Sequence, residues 1–429
     1  MINSGDKKKP GMLKRAVALV MLLVIILINT GCYVKIERPA EQDRTDMEED
    51  LTAGSSLKVA HTFYKRGRGI ADVVIRGAYP REEGFYFTDG VLCFYDTANS
   101  EKMCICNKAG CSHVDSDCPA VIPGSSSFLY DGNIIYDFSS PEEGIQLITS
   151  DLKTGEKSSK ILLKNDRNRN VFFNNAYCAN GKIVLECTAI DDHRDRSSVY
   201  IYDIDKDETT LFLEDDSLSA WGVMGVYRQY VLVSHAKYEE AILGVDEYFK
   251  RNPVTADSEQ DFFAQYRDYL RSVPRVMEKR LYDLDTMTYT DILPALRGDS
   301  DEQPNLDLSS NGPIYGEYIL YLLGNQVVRY NMLTGEREVL IERDNVVNGI
   351  LFDEKLIYIT NKNGECKIWI YDIESKETVA LYNNGNTQYM ELSIYDETRD
   401  AFIGYYNGKH VWIMKEDYYS ERYDKAIVY

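Results

Sequence analysis

The chain has 429 residues, 44% of them hydrophobic, and a formal net charge of −21 at pH 7. This hydrophobic content is typical of a globular protein, so composition excludes a disordered chain and a protein with many membrane spans. The negative charge excludes a nucleic-acid partner, because contact with a phosphate backbone needs positive groups that displace its counterions.

The first 32 residues have the pattern of an export signal. A lysine-rich start precedes the apolar run 16–28, which Gly31 and Cys32 follow closely. The run is shorter than the roughly 20 residues of a spanning helix, although an uncleaved membrane anchor stays an alternative. The pattern resembles a bacterial lipoprotein signal, in which the cysteine after a small residue is diacylated. This resemblance implies lipid attachment at Cys32 and a location on the extracytoplasmic face of the cell membrane, where two acyl chains anchor firmly.

Residues 33–68 are polar and acidic, with little apolar periodicity before Leu57. Such a composition favours a flexible tether over a packed element. We therefore expect three parts: a signal with its lipidated cysteine (1–32), a tether (33–68) and a folded region (69–429).

One short phrase recurs through the folded region. An apolar or aromatic strand leads to an Asp or a related residue, and a turn rich in Thr, Gly or Glu follows. Most copies are about 41 to 55 residues apart, and one gap of about 80 residues contains an insertion. The seven anchor positions are Asp96, Asp151, Asp203, Asp283, Asn331, Asp372 and Lys415.

A second hairpin precedes each copy, so each unit has four antiparallel strands. A single four-stranded sheet cannot bury both faces, whereas radial packing of repeated sheets covers them. The sequence therefore predicts an all-β fold, a β-propeller of seven blades. Six or eight blades stay open, and a protein of two β-sandwiches is the alternative fold.

In this scheme the second-to-third-strand and blade-to-blade connections share one rim. The informative loops fall there: the cysteine loop after Cys106, the acidic segment 191–195 and the insertion 237–278. Ser258 and Asp261 resemble a capping box, and an aromatic stripe ends before Pro274, which predicts a helix in the insertion. The stripe is expected to pack on the propeller, and a partner-binding or lid element is the alternative.

The segment 106–118 has the spacing C-x4-C-x-H-x4-C. Thiolates and imidazole are ligands of Zn²⁺, and four of them complete a closed structural site. The candidate ligands are Cys106, Cys111, His113 and Cys118. Structural zinc is thus the one cofactor that the sequence suggests, and no cofactor is required for chemistry, because motifs for nucleotides, flavins or metalloproteases are missing.

Disulfides compete with zinc outside the membrane. The hairpin at 97–100 places Cys93 opposite Cys104, which would permit a cross-strand bridge. Cys106 has the further option of a bridge to Cys111 or Cys118. Free thiols are the third possibility.

The run from FYFTDG through CNKAGCSHVDSDCPA, on a chain with a lipoprotein signal and propeller-like repeats, resembles a group of uncharacterised Gram-positive surface lipoproteins. The resemblance implies a surface location and this fold, and it implies no activity. The chain is also similar in fold to the propellers of the Tol system.

Two acidic patterns in the sequence resemble parts of known functional sites. Asp203, Asp205, Asp207 and Glu214 match four ligand positions of an EF-hand, but the segment lies at an ordinary strand turn and lacks the required Gly. Asp191, Asp192, His193 and Asp195 form an acid and histidine cluster that we interpret as a solvated charged loop, with a pair of carboxylates for glycoside cleavage as the alternative.

From these features we expect a lipid-anchored binding or scaffolding module, whose decorated rim engages a protein, peptide or glycan. The alternatives are a hydrolase or lyase that acts on polysaccharide, and an assembly or sensor factor of a membrane complex.

Overall fold

Strands in seven separate four-stranded sheets make up most of the structure, a computed structural model. The chain separates into Met1–Leu51 and Thr52–Tyr429. Cys32, the export-signal pattern and most of the tether lie outside the described residues. These residues are 57–62, 64, 79–88, 90–106, 108, 110–114, 118–121, 128–130, 134–191, 194–216, 220–239, 243, 245–252, 265–266, 268–270, 272–309, 312–381 and 392–429.

Each sheet, or blade, uses four consecutive antiparallel strands, as predicted. Blade 1 contains β1 (Tyr79–Pro80), β2 (Gly84–Thr88), β3 (Leu92–Asp96) and β4 (Glu101–Cys104). Blade 2 contains β5 (Phe128–Tyr130), β6 (Ile134–Ser139), β7 (Gly144–Asp151) and β8 (Lys157–Lys164). Blade 3 contains β9 (Arg169–Ala179), β10 (Lys182–Asp191), β11 (Arg194–Asp203) and β12 (Glu208–Asp216). Blade 4 contains β13 (Trp221–Tyr227), β14 (Tyr230–Tyr238), β15 (Arg275–Asp283) and β16 (Thr288–Asp291).

The remaining three blades follow the same order. Blade 5 contains β17 (Ile314–Tyr315), β18 (Tyr318–Leu323), β19 (Gln326–Asn331) and β20 (Arg337–Glu342). Blade 6 contains β21 (Val346–Phe352), β22 (Lys355–Lys362), β23 (Glu365–Asp372) and β24 (Thr378–Leu381). Blade 7 contains β25 (Leu392–Glu397), β26 (Ala401–Tyr406), β27 (Lys409–Met414) and β28 (Ile427–Val428). The helices whose bounds lie within the described residues are α1 (Val245–Arg251), α2 (Leu293–Arg297), α3 (Lys415–Tyr419) and a 3₁₀ turn (Tyr423–Lys425).

The repeated acidic residue has a structural role at the end of the third strand. In blade 2, Asp151 Oδ1 accepts hydrogen bonds from the backbone N–H groups of Lys153 (2.8 Å) and Thr154 (2.9 Å). An Asx turn of this kind closes the hairpin between the third and fourth strands. The same two bonds recur at Asp96, Asp283, Asn331 and Asp372. The sequence repeat is therefore a repeat of turn chemistry.

The blades form a ring, and the seven-bladed prediction is confirmed. Neighbouring blades bury aromatic and aliphatic side chains between their faces, including Phe138 against Phe173 for blades 2 and 3, with ring centroids 5.1 Å apart. The last blade packs on the first through Trp412 and Tyr95, whose centroids are 5.5 Å apart. Burial of both faces of every sheet is the main stabilising contribution in such a ring.

Strand direction gives the ring two rims. We call the rim with the first-to-second and third-to-fourth turns the lower rim, and the rim with the other connections the upper rim. The cysteine loop starts at the upper rim after β4, and the insertion between β14 and β15 lies there too. The connection between Asp191 and Arg194 is also on this rim, but the side chains of 191–195 lie outside the described residues.

The insertion folds on itself through tyrosines. Besides α1, residues 265–266, 268–270 and 272 are helical, and this helical stretch ends before Pro274. Tyr248 of α1 contacts Tyr266 and Tyr269, with ring centroids 5.5 and 4.6 Å apart. The Tyr266 hydroxyl donates a hydrogen bond to the Leu243 carbonyl (2.8 Å). Tyr266 and Tyr269 of the stripe therefore pack on α1 of the insertion and lie near Tyr238 of β14. Packing of the whole stripe on the blades stays a prediction, because Phe262 and Phe263 lie outside the described residues. Among the described residues, no helix has the length and apolar character needed to cross a membrane.

A carboxyl group is enclosed at the junction of blades 3 and 4. Glu186 of β10 accepts hydrogen bonds from the Val223 N–H of β13 and from the Tyr177 hydroxyl (3.0 Å). Burial outweighs these donors and raises the pKa of Glu186 from its ordinary value of 4.5 to about 7.

This pKa predicts a pH dependence of stability. Between about pH 4.5 and 7 the native state binds more protons at Glu186 than the unfolded state, so the free energy of unfolding falls as the pH rises. The contribution is about 3 kcal/mol over this interval. Burial also raises the pKa of Glu397, to about 8, so this second carboxyl adds to the same pH dependence. Denaturant titrations at pH 5 and pH 8 should show that Glu186→Gln reduces the difference by about 3 kcal/mol, whereas Glu336→Gln, an exposed control, keeps it in full. An unchanged difference in Glu186→Gln would contradict the prediction.

Candidate metal centre

The four predicted metal ligands lie together in the structure. The thiol sulfur atoms of Cys106, Cys111 and Cys118 and a ring nitrogen of His113 are all within 4.8 Å of one another. The distance from Cys118 Sγ to His113 Nδ1 is 3.6 Å. The three cysteines are unbridged thiols. The C-x4-C-x-H-x4-C spacing thus brings its donor atoms to one point.

These separations fit a zinc ion. Tetrahedral bonds of about 2.3 Å to sulfur and about 2.0–2.1 Å to nitrogen place neighbouring ligand atoms about 3.5–3.8 Å apart. The observed sulfur-to-nitrogen distance of 3.6 Å lies within that range, and the 4.8 Å limit leaves only small movements for the other atoms. Three thiolates and one imidazole fill all four positions, so a bound ion would have a structural role with no open position for substrate.

Local backbone geometry brings the candidate ligand side chains toward one another. A turn closed by the Cys111 N–H and the Lys108 carbonyl (3.2 Å) contains Gly110, whose φ of +71° is readily available only to glycine. His113 also has a positive φ, +59°, which is uncommon outside glycine and costs backbone energy. The His113 N–H donates to the sulfur of Cys111 and lowers the pKa of that thiol. The turn therefore favours a thiolate at Cys111.

Cys118 has a different environment. Its side chain is fully buried, and burial raises its pKa to about 11 despite a hydrogen bond from the Ala120 N–H. A buried thiol of this kind becomes a thiolate when a cation supplies the compensating charge.

The end of the cysteine loop packs between blades 1 and 2. Cys118 and Ala120 pack against Leu92 of blade 1 and against Ile135 and Leu152 of blade 2. The Leu92 N–H donates to the Ala120 carbonyl (2.7 Å). The loop therefore starts at the upper rim and returns into the junction of two blades, so a metal ion in it would fasten that junction.

The predicted disulfide partners are direct neighbours. Cys93 of β3 and Cys104 of β4 pair in the antiparallel register, as the hairpin predicted. Burial raises the pKa of Cys104, and the neighbouring Cys93 adds to the effect. The cross-strand disulfide itself stays a prediction, as do bridges within the loop.

The calcium-like pattern does not form a site. Asp203, Asp205 and Asp207 belong to the turn between β11 and β12. Glu214 instead binds Arg169 and accepts a hydrogen bond from Ser198 (2.9 Å) near the other end of the blade. The interpretation as an ordinary strand turn is therefore confirmed.

Sequence reasoning missed a second cluster, in which Asp353, Glu397 and Lys415 are fully buried together. The available signal was Lys415, which stands where the other repeats have Asp or Asn. In the sequence pattern alone, Lys415 is only a variant anchor of the seventh repeat.

No protein-family model matches the chain, and no curated protein matches it. Several solved structures are similar over most of their length. An oligogalacturonate lyase in complex with manganese is 10% identical, with a TM-score of 0.41, and the match covers 82% of this chain and 88% of the lyase. The propeller domain of the Trilobed protease from Pyrococcus furiosus is 13% identical, with a TM-score of 0.39, covering 82% and 94%.

TolB from Acinetobacter baumannii is 15% identical, with a TM-score of 0.31, covering 78% of this chain and 74% of TolB. Likenesses this distant say nothing about activity, and the propeller fold rests on the strand topology. The resemblance to Gram-positive surface lipoproteins stays a prediction.

The metal centre can be tested by composition and mass. We expect about one zinc ion per full-length chain purified in detergent, because the four donors form a closed tetrahedral set. Cys111→Ser should reduce the zinc content at least about tenfold and lower the unfolding temperature. Elemental analysis and native mass spectrometry measure both states.

Cys366→Ser is the matched control, because Cys366 is an exposed thiol of blade 6 outside the cluster. This variant should keep its zinc. A full-length chain without zinc, whose mass is lower by pairs of hydrogen atoms, would show a disulfide in place of the metal.

Proposed function

We propose that the protein is a lipid-anchored binding or scaffolding module on the extracytoplasmic face of the cell membrane. Its upper rim engages a partner, and its lower rim faces the membrane. The proposal depends on one observation, the opposite placement of the N-terminal segment and of the insertion.

The N-terminal segment 57–64 contacts the lower rim. The Ala60 N–H donates to Asp353 Oδ2 (3.0 Å), and Asp353 lies in the first-to-second-strand turn of blade 6. His61 Nδ1 is 2.7 Å from Asp400 Oδ1 in the corresponding turn of blade 7. The chain that precedes residue 57 therefore leaves the described part of the protein at the lower rim, which is our reason for proposing that the upper rim is the one free to bind a partner.

The upper rim offers a surface suited to a protein. Val276 and Met277, at the base of the insertion, are each 44% exposed. Beside them the Arg275 guanidinium lies 4.6 Å from the centroid of the Tyr238 ring. Apolar, aromatic and arginine side chains together are typical of protein interfaces. We therefore favour a protein or peptide partner over a glycan.

The metal cluster supports a binding role indirectly. Its donor set is closed, so zinc would stabilise the junction of blades 1 and 2 and would have no catalytic position. Such a site suits a rigid platform that presents a surface.

The anchor is tested at Cys32. Growth with an alkyne-labelled fatty acid should label the full-length chain, and Cys32→Ser should remove the label, because the acyl chain is attached through that thiol. Cys366→Ser should leave labelling unchanged. An unlabelled chain that stays in the membrane fraction with residues 1–31 intact would instead show an uncleaved anchor.

The orientation is tested by two exposed methionines of blade 4. Met277 lies near the upper rim and is 44% exposed, whereas Met287 lies in a turn of the lower rim and is 53% exposed. A photo-crosslinking amino acid at position 277 should join a discrete partner in intact cells, and the same amino acid at position 287 should not. Equal adducts from both positions, or adducts only from position 287, would contradict a partner-binding upper rim. Adducts that glycosidases remove would identify a glycan.

A further inference from the structure

Four charged side chains form a buried cluster on the lower rim between blades 6 and 7. Lys415 Nζ lies 3.1 Å from Asp353 Oδ1 and 2.9 Å from Glu397 Oε2, and all three side chains have 0% exposure. Lys355, 1% exposed, lies 3.4 Å from Asp353 Oδ2. Lys355 Nζ also lies 3.4 Å from Asp372 Oδ2, a carboxylate at the edge of the cluster whose side chain is 15% exposed. The two ammonium groups therefore face three carboxyl groups. Burial raises the pKa of Glu397 to about 8, which favours its uncharged form at pH 7 and balances the charges of a site in which each ion loses its hydration.

The cluster has more acceptor atoms than its own lysines occupy. The Tyr419 hydroxyl donates to Asp353 Oδ2 (2.9 Å), and the Asp353 N–H donates to Glu397 Oε2 (3.1 Å). Three further donors come from the N-terminal segment, through the N–H groups of Ala60 (3.0 Å), Thr62 (3.3 Å) and Tyr64 (3.0 Å).

The bonding between segment and cluster is reciprocal. The N–H groups of Ala60, Thr62 and Tyr64 are all directed at buried carboxyl groups, and His61 between them has a positive φ of +55°. In return Lys415 Nζ donates to the Thr62 carbonyl (2.7 Å). Without the segment, two buried carboxylates would lose three donors and Lys415 would lose an acceptor, which is costly for buried charged groups. Tyr64 also enters the apolar core, 6.2 Å from the ring of Tyr318 in blade 5.

The ring closes where blade 7 meets blade 1, and we call this junction the seam. Every described blade consists of consecutive strands, so among the described strands no sheet contains strands from both ends of the chain. In the described residues, blades 1 and 7 meet through apolar side chains and through one backbone hydrogen bond, from the Arg399 N–H to the Glu82 carbonyl (2.9 Å). The segment is held on blades 6 and 7, and the same chain continues to β1 of blade 1.

We propose that residues 57–64 are a closing strap of the propeller ring, and that the cluster of Asp353, Lys355, Glu397 and Lys415 is the clamp that holds it. The strap is bound to the last two blades, and the chain that follows it reaches blade 1 through residues 65–78, which lie outside the described residues. It would thus add a covalent link across a junction that has no shared sheet among the described strands. The clamp also fixes the point at which the preceding chain leaves the protein, so tension on that chain acts on buried ion pairs before it acts on blade 1.

Hydrogen exchange of the full-length chain tests the strap. Ala60→Pro removes one N–H donor to Asp353 at an exposed position and leaves every buried side chain unchanged. Lys58→Pro is the control, because it also replaces one backbone N–H by a proline ring at an exposed neighbouring position, with the additional loss of a lysine side chain. Peptides that cover 57–64, β2 and β3 of blade 1, β26 and β27 of blade 7, and β10 of blade 3 are followed by mass spectrometry.

In the unaltered chain, we expect 57–64 to exchange slowly and with protection similar to that of β2 and β3, because strap and seam open together. Ala60→Pro should speed exchange about tenfold or more in 57–64 and at the seam, since a hydrogen bond to a buried charge is lost. The peptide from β10 and all peptides of Lys58→Pro should change less than about twofold.

Three outcomes would overturn the proposal. Fast exchange of 57–64 in the unaltered chain would mean that the buried ion cluster does not hold this segment in place. Faster exchange of 57–64 alone in Ala60→Pro would make the segment a docked tail that does not close the ring. Unchanged exchange everywhere in Ala60→Pro would show that the N–H groups do not hold the strap. If Ala60→Pro fails to fold, the comparison of strap and seam in the unaltered chain decides alone.

Discussion

Burial of both faces of each four-stranded sheet is the constraint from which the rest of this structure follows. One blade alone would expose two apolar faces, so each blade depends on two neighbours, and only a closed ring gives every blade both. The seven blades have this arrangement, with aromatic pairs such as Phe138 and Phe173 at the junctions. Because the ring is cooperative, its weakest junctions decide its integrity.

Blade 1 has the shortest strands of the seven described sheets. Its strands are short, from two to five residues, so it offers little surface to its neighbours. Three stabilising features lie next to blade 1. The cysteine loop wedges into its junction with blade 2, aromatic packing and one backbone hydrogen bond join it to blade 7, and the segment before it is held by the buried ion cluster. The candidate metal ligands and the buried ion cluster thus act next to the blade that offers the least surface for packing against its neighbours.

Sequence reasoning succeeded wherever a feature is local. The seven repeats were visible because an Asp or Asn closes a turn through hydrogen bonds to residues two and three positions ahead. The pairing of Cys93 with Cys104 followed from hairpin register, and the four metal-ligand candidates followed from their spacing. The packing of the insertion tyrosines on α1 could not be read, because one amphipathic stripe fits several surfaces.

The sequence by itself determined the fold class and the donor set of the candidate metal site and favoured seven blades, because turn chemistry and strand period act over a few residues. Only the tertiary structure decided what the loops do. It put the end of the cysteine loop between two blades, and it brought Ala60 and Thr62 to Asp353, almost 300 residues later in the chain. Such contacts depend on how the ring closes and where buried charges find partners, which is a property of the packed molecule and not of any short segment.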